Sequence, residues 1–357
     1  MKVAIVTDAW KPQVNGVVTT LADLVAALRA AGHDVQLIEP SLFRRVPMPG
    51  YGEIELAWRP RALVQRLLES GRPDAIHIAT EGPIGIAARA CCLAARLAFT
   101  TAFHTRFPEF VAAATGLPAA LGYAWMRRFH RPSSGVLVPS LGTLRILESH
   151  GFANLRRWTH GIDLERFRPT QPAELGLPRP VFLYVGRVSY EKNLDAFLKL
   201  HLPGSKVVCG SGPLLARLSR RYTQVQWRGR VQRESLVGIY NAADSFVFPS
   251  RTDTFGLVML EALACGTPVA AYPTAGPLDV VGDSDGGVLH DDLRTAALRS
   301  LAVPRERARA RAATFEWAEV SRRFLGHLVP AVASASGTSR LALASSAHVG
   351  SPQRRSV

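Results

Sequence analysis

Residues Ser250–Val269 read SRTDTFGLVMLEALACGTPV. The apolar run Phe246-Val247-Phe248 leads into them through Pro249 and has the length and composition of a buried strand. A polar turn follows, and then Phe255–Cys265 has the apolar density of a helix packed in a core. Gly266 and Pro268 stop that helix, and Val269–Tyr272 reads as the next strand. Within the helix Glu261 stands among Val258, Met259, Leu260 and Leu263, where a carboxylate is costly unless something pairs with it. Asp253 stands at the mouth of the same helix. Two carboxylates placed this way, one at a strand end and one on the helix behind it, are expected to face a ligand.

The same grammar recurs on both sides. At the N-terminus Lys2–Val6 is a strand, a loop runs to Gly16, a helix spans Val17 to Ala31, and Asp34–Ile38 is a second strand. Gly16 sits where a helix begins, a place that suits an anion, but the GxGxxG fingerprint of dinucleotide-binding proteins is absent. Further on, helices over Arg61–Ser70 and Ile84–Leu97 alternate with strands at Ala75–Ile78 and Thr100–Phe107. His104 and Arg106 alternate near the end of the last of these, which fits either a cleft position or an exposed loop. A strand at Gly135–Ser140 and a helix at Leu141–Ser149 follow.

Pro169, Pro172, Pro178 and Pro180 mark a linker, after which the pattern restarts with the strand Val181–Val185. The expected organisation is a first doubly wound domain over residues 1–165, a linker at 166–180 and a second domain at 181–314. A helix within 315–330 is expected to pack back toward the first domain, and 331–357, rich in Ser and Ala, to be a disordered tail. Ligands of such sheets lie beyond the carboxyl ends of the strands, so the cleft between the domains is the expected site.

Three pieces of the second domain belong to that cleft. Gly186-Arg187 with Lys192 supplies two cations across one strand-to-helix turn, suited to a diphosphate. Gly210-Ser211-Gly212-Pro213 lets a ligand approach the backbone closely. Asp253 to Leu257 joins a carboxylate to the amides of a helix start, with Glu261 two turns further on. Cations for a diphosphate with carboxylates for hydroxyls are what a nucleotide sugar requires.

Composition narrows the remaining classes. The chain has 357 residues, 47% apolar, and a formal net charge of +15, which favours anionic partners. Both halves are basic, yet no aromatic-interleaved basic groove or helix-turn-helix signature accompanies the charge, so nucleic acid is not an expected partner. Cys91, Cys92, Cys209 and Cys265 lie in apolar surroundings without metal-ligand spacing and read as buried thiols. Neither a signal peptide nor a run of about 18 apolar residues is visible, which makes a cytoplasmic location the expectation. The segment 118–131, PAALGYAWMRRFHR, interleaves aromatics with arginines and serves equally as a membrane-interface helix or as a half-buried helix with a basic edge. Asp283-Ser284-Asp285 has the form of a metal-binding DxD but sits in a Gly-rich turn and reads as a surface loop.

Taken together, VTDAWKPQVNGVV (6–18), FHTRFPEF (103–110), HGIDLERF (160–167), VGRVSYEKN (185–193), GSGP (210–213) and FPSRTDTFGLVMLEALACGTPVAAY (248–272) resemble the retaining glycosyltransferases of family 4. The resemblance implies the α/β GT-B fold, two doubly wound Rossmann-like domains facing a cleft, and a nucleotide-sugar donor with no metal or other cofactor. It implies that Gly16 lies over the donor diphosphate and that His104 reaches the transferred sugar. Arg187 and Lys192 would hold the diphosphate, and Gly210 and Gly212 would line the donor. Asp253, with the amides of Phe255, Gly256 and Leu257, would approach the sugar, and Glu261 would bind the ribose. The usual first carboxylate of this motif is a glutamate, and Asp253 is one methylene shorter. Likeness to bacterial lipid glycosyltransferases implies a UDP-sugar as the first expectation for the donor, with GDP-mannose second. It also implies a lipid acceptor such as diacylglycerol and an anionic membrane surface on the cytoplasmic side, the alternative being a GDP-mannose-dependent mannosyltransferase acting on a lipid or on a soluble glycan or sugar phosphate.

Overall fold

The structure is a computed structural model that describes residues 1–332 except 14, 49, 50, 105, 110, 111 and 113–115. Of the expected disordered tail, residues 333–357 lie outside the described ones. The strands in chain order are β1 (Lys2–Val6), β2 (Asp34–Ile38), β3 (Arg45–Met48), β4 (Tyr51–Ala57), β5 (Ala75–Ile78), β6 (Thr100–Ala102), β7 (Gly135–Val138) and β8 (Leu155–Arg157). The series continues with β9 (Val181–Val185), β10 (Ser205–Cys209), β11 (Gln226–Gly229), β12 (Ser245–Phe248), β13 (Val269–Ala271) and β14 (Gly287–Leu289).

Two parallel six-stranded sheets result, in the orders β2-β1-β5-β6-β7-β8 and β11-β10-β9-β12-β13-β14. Parallel strands covered on both faces are read from continuous apolar runs, and β9, VFLYV, is buried at every position. Its two faces feed different cores: Val181, Leu183 and Val185 pack with the helix Leu257–Ala264, and Phe182 and Tyr184 with the helix Leu194–Leu198. The chain reverses its winding direction between β1 and β5 and again between β9 and β12. A crevice opens at such a reversal. The loops after β9 and β12, which carry Arg187, Lys192 and Asp253, therefore meet at one place.

Departures from the sequence reading are local. β6 stops at Ala102, short of the expected Phe107, and residues 107–109 turn helically instead. Pro108 has no N–H to give a ladder, and Arg106 binds Glu109 three residues on, as a helical turn allows. The antiparallel pair β3–β4 and the edge strands β8 and β14 had no clear signal. The first helix spans Gly16–Ala30, and Asn15 caps it by accepting a hydrogen bond from the Val18 amide at 3.0 Å.

The helix Trp317–His327 lies against the first sheet, where Trp317, Val320 and Phe324 join Val3, Ile5, Leu21 and Leu24 in one core. The Trp158 indole donates to the Val320 carbonyl at 3.2 Å, Arg156 donates to the His327 carbonyl at 2.5 Å, and Ala75 bridges to Pro330. All four cysteines are buried and unpaired, and burial pushes Cys92 and Cys265 up to about 12. Asp283-Ser284-Asp285 is a turn in which Asp285 pairs with Arg307. Among the described residues no group of three or more His, Cys, Asp or Glu is gathered as for a metal ion, and no helix is long and apolar enough to cross a membrane.

Candidate active site

The loops after β9 and β12 are stitched together before any ligand arrives. Asn193 donates from its side chain to the Pro249 carbonyl at 3.1 Å, and Thr252 donates to the Glu191 carbonyl at 3.1 Å. This stitching brings Lys192 to Asp253, with Nζ 2.5 Å from Oδ1. The second carboxylate oxygen, Asp253 Oδ2, is buried and has no hydrogen-bond partner. Arg187 lies just beyond β9 with its side chain exposed, and Tyr184 fixes its backbone by donating to the Arg187 carbonyl at 2.8 Å. At Gly210 (φ +151°) a Cβ would stand 1.8 Å from the Gly186 carbonyl oxygen, so the two loops touch backbone to backbone and only glycine permits it.

The helix Leu257–Ala264 begins at Gly256, whose φ of +90° sets the turn from Phe255, itself buried against Phe315 and His160. Opposite stands the first domain. A Cβ on Gly16 would lie 3.8 Å from Leu257 Cδ1, so two helix N-termini face one another across the crevice. Asn15 takes the Val18 amide at one of them, and a helix start is in general a favourable place for an anion.

Glu261 is 6% exposed, and both of its oxygens are engaged. Tyr240 donates to Oε2 at 2.9 Å, and Arg233 Nη2 lies 3.3 Å from Oε1. Burial pushes this carboxyl above its ordinary value, against the pull of Arg233 and the Tyr240 hydrogen bond. Arg233 also reaches Asp23 on the Gly16–Ala30 helix, with Nη2 3.2 Å from Oδ2.

His104 follows β6 and is held to the second domain through its backbone, where Thr254 donates to the His104 carbonyl at 3.0 Å. Its ring stacks on His160 at 5.7 Å and meets Trp158 edge-on, while Nε2 is buried and unpartnered. Burial brings His104 down to about 4, so the ring is neutral at pH 7. Arg106 is held on Glu109, which also accepts from Tyr123 at 2.5 Å, and so has a separate set of contacts from His104.

A model of the family described as "Glycosyltransferase Family 4" matches residues 14–166, and one described as "Glycosyl transferases group 1" matches 167–300. The chain belongs to glycosyltransferase family 4. It is similar to a GDP-mannose-dependent alpha-mannosyltransferase of Mycobacterium tuberculosis, 29% identical over 81% of this chain and 83% of that protein. An alpha-monoglucosyldiacylglycerol synthase of Streptococcus pneumoniae is 28% identical over 84% of this chain and 78% of its own. In fold it resembles a sucrose-phosphate synthase from Thermosynechococcus elongatus, with a TM-score of 0.74, 20% identity and coverage of 91% and 97% of the two chains. The two facing parallel sheets are thus a GT-B fold, and the protein is a glycosyltransferase.

In this glycosyltransferase the residues singled out in the sequence come from both sheets, and the approach of Gly16 to Leu257, the hydrogen bond from Thr254 to the His104 carbonyl and the Lys192–Asp253 pair bring several of them together. Gly16 and His104 come from the first sheet's side, and Arg187, Lys192, Gly210, Gly212, Asp253, Phe255, Gly256, Leu257 and Glu261 from the second's. Sequence reading missed Arg233, Tyr240 and Asp23, which engage Glu261 directly or through one another. Arg233 is one arginine among many in a basic chain, and only the helix-lined approach to Glu261 distinguishes it. His160 was visible as part of HGIDLERF, but its contact with both His104 and Phe255 depends on the fold.

Proposed function

We propose that the protein moves a hexose, with retention at the anomeric carbon, from a nucleotide sugar to a hydroxyl of a membrane lipid. The observation that carries this reading is the Lys192–Asp253 pair at the crevice, with a buried Asp253 oxygen left free to accept from a sugar hydroxyl. In the proposed reaction the bond from the anomeric carbon to the diphosphate breaks, and the lipid hydroxyl oxygen bonds to that carbon on the same face. The hydroxyl proton passes to the departing phosphate oxygen. Arg187, Lys192 and the amides at the two facing helix starts neutralise the charge that develops on the leaving group. His104, neutral, offers a hydrogen bond to the sugar, and Glu261 accepts from the ribose hydroxyls. No metal enters this scheme, because fixed cations and helix amides serve the diphosphate.

For the donor we favour GDP-mannose, supported by the similarity to mannosyltransferases whose names specify it, over the UDP-sugar first expected. A UDP-hexose is the second reading, supported by the similarity to the glucosyldiacylglycerol synthase. For the lipid acceptor the support is the same synthase and the helix Ala119–His130. There Leu121 and Trp125 are 62% and 49% exposed, beside Arg127 and Arg128. An apolar recess of about 270 Å³ adjoins them, lined by Phe107, Pro108, Gly122, Trp125 and Met126. Such a face suits an anionic membrane surface on the cytoplasmic side. The test is a panel of GDP-mannose and UDP-hexoses offered with vesicles containing diacylglycerol or phosphatidylinositol. Transfer to lipid with retained configuration is expected from GDP-mannose; an inverted product, or transfer to soluble acceptors alone, would remove the reading.

A further inference from the structure

Arg233 opens the helix Arg233–Ala242 in the second half of the molecule and contacts carboxylates from both halves. One nitrogen, Nη2, lies 3.2 Å from Asp23 Oδ2 and 3.3 Å from Glu261 Oε1. Asp23 belongs to the Gly16–Ala30 helix, the one whose start faces the crevice, and Glu261 to the helix on the opposite wall. The guanidinium stands 5.1 Å above the Phe167 ring, and its Nε is buried without a partner, so the group is held at the seam between the halves.

We infer that Arg233 is a positioning residue that couples occupation of the ribose subsite to closure of the two domains. The inference rests on Glu261 being the ribose acceptor. Among the described residues Arg233 is the only cation paired with Glu261, and a carboxylate this buried needs one to stay charged and in a single rotamer. The same nitrogen is shared with Asp23. When ribose hydroxyls donate to Glu261, that carboxylate leans less on Arg233, and the guanidinium shifts toward Asp23. Ribose binding thereby strengthens the contact that joins the walls. Separating the domains removes Asp23 from Arg233 but leaves Glu261 in place, so the two carboxylates report different things: Glu261 the ligand, Asp23 the closure.

The experiment uses the full chain carrying one introduced surface cysteine on each domain for fluorescence energy transfer, the native thiols being buried. Affinity and transfer efficiency are measured with GDP or UDP, whichever binds more tightly, and with its 2′,3′-dideoxy analogue. The unaltered chain should prefer the ribose form by about tenfold and close further with it. Asp23→Asn should keep that preference and lose the ribose-dependent closure. Arg233→Gln should lose both, and Arg233→Lys should restore part of each, which separates positioning from a folding defect. Glu261→Gln should lose the preference. If Arg233→Gln retains the preference while Glu261→Gln loses it, or if Asp23→Asn closes as before, the inference is overturned and the ribose reading stands. If Glu261→Gln retains the preference, the ribose reading fails and the coupling fails with it.

Discussion

Lys192 and Asp253, sixty-one residues apart in the chain, meet with Nζ 2.5 Å from Oδ1 at the winding reversal of the second sheet. The lysine fixes one oxygen of the carboxylate, and Oδ2 stays buried without a partner, the oxygen that the proposed reaction assigns to the sugar. In the proposed reaction the cation is therefore already oriented when the diphosphate arrives.

In the proposed reaction Lys192→Ala removes a leaving-group cation, and it strands Asp253. By analogy with the loss of one oxyanion donor, transfer should fall by about 10²–10³ in kcat. Steady-state kinetics with donor at saturation measures this. Asp253→Asn keeps the shape and an acceptor oxygen but loses the charge, so its loss should be smaller than that of Lys192→Ala. A larger loss would make Asp253 more than a positioning group.

Three histidines of the first domain are buried and neutral. Burial, with His104 nearby, brings His77 down to about 3; burial brings His104 to about 4; and His160 lies well below 6.5 from burial and His104. The unfolded chain takes up these protons near pH 6.5, whereas the folded one does not. Their contribution to stability is thus complete above about pH 6.5 and is lost as pH falls toward 4, by about 1.4 kcal/mol per pH unit for each group. Urea midpoints should drop steeply between pH 6.5 and 4.5, and His77→Gln should flatten the slope by one proton's worth. The acid limb of kcat should lie well below pH 6.5, because His104 does not titrate there.

Gly142→Ala tests closure from the other side of the crevice. A Cβ on Gly142 would come within 2.4 Å of the Ala275 Cβ in the second domain. Nearby, Asp279 accepts from the Leu141 amide at 2.7 Å and from Arg157 at 2.6 Å. Alanine favours the helix Leu141–Ser149 by about 1 kcal/mol over glycine, yet it wedges the domains apart. The first domain should melt no lower, while donor affinity and kcat fall. Calorimetry and kinetics on the same variant separate the two effects.

Binding to vesicles containing phosphatidylglycerol should weaken as salt rises and should fall further in Leu121→Ser/Trp125→Ser, whose parent side chains are exposed. Sedimentation with vesicles measures it. Equal binding to neutral vesicles would count against the basic edge of this helix.

Parallel strands such as β1 and β9 were legible because Val3–Val6 and Val181–Val185 are continuous apolar runs. Glu261 was legible because a lone carboxylate in VMLEALA contradicts its surroundings. Arg233 and Asp23 were not, since each is an ordinary charge on a helix until the two halves meet. Thr100–Phe107 was over-read as strand because alternation persists through His104, while Pro108 decides the ending from outside the run. Edge strands β8 and β14 are three residues each and half-buried or exposed, too short for a period to register.

The helix Trp317–His327, which places Trp317, Val320 and Phe324 in the core of the first sheet, has a consequence for synthesis. The ribosome finishes every strand of that sheet by Arg157, yet the layer that covers its face emerges only after the whole second sheet has been made. His77 and Trp158, which pack on Phe324, must wait without that cover while some 160 further residues are translated, at about 5–20 residues per second. The first sheet to be made is therefore the last to be sealed, and a nascent chain halted anywhere before Phe324 should be bound by chaperones through that open face.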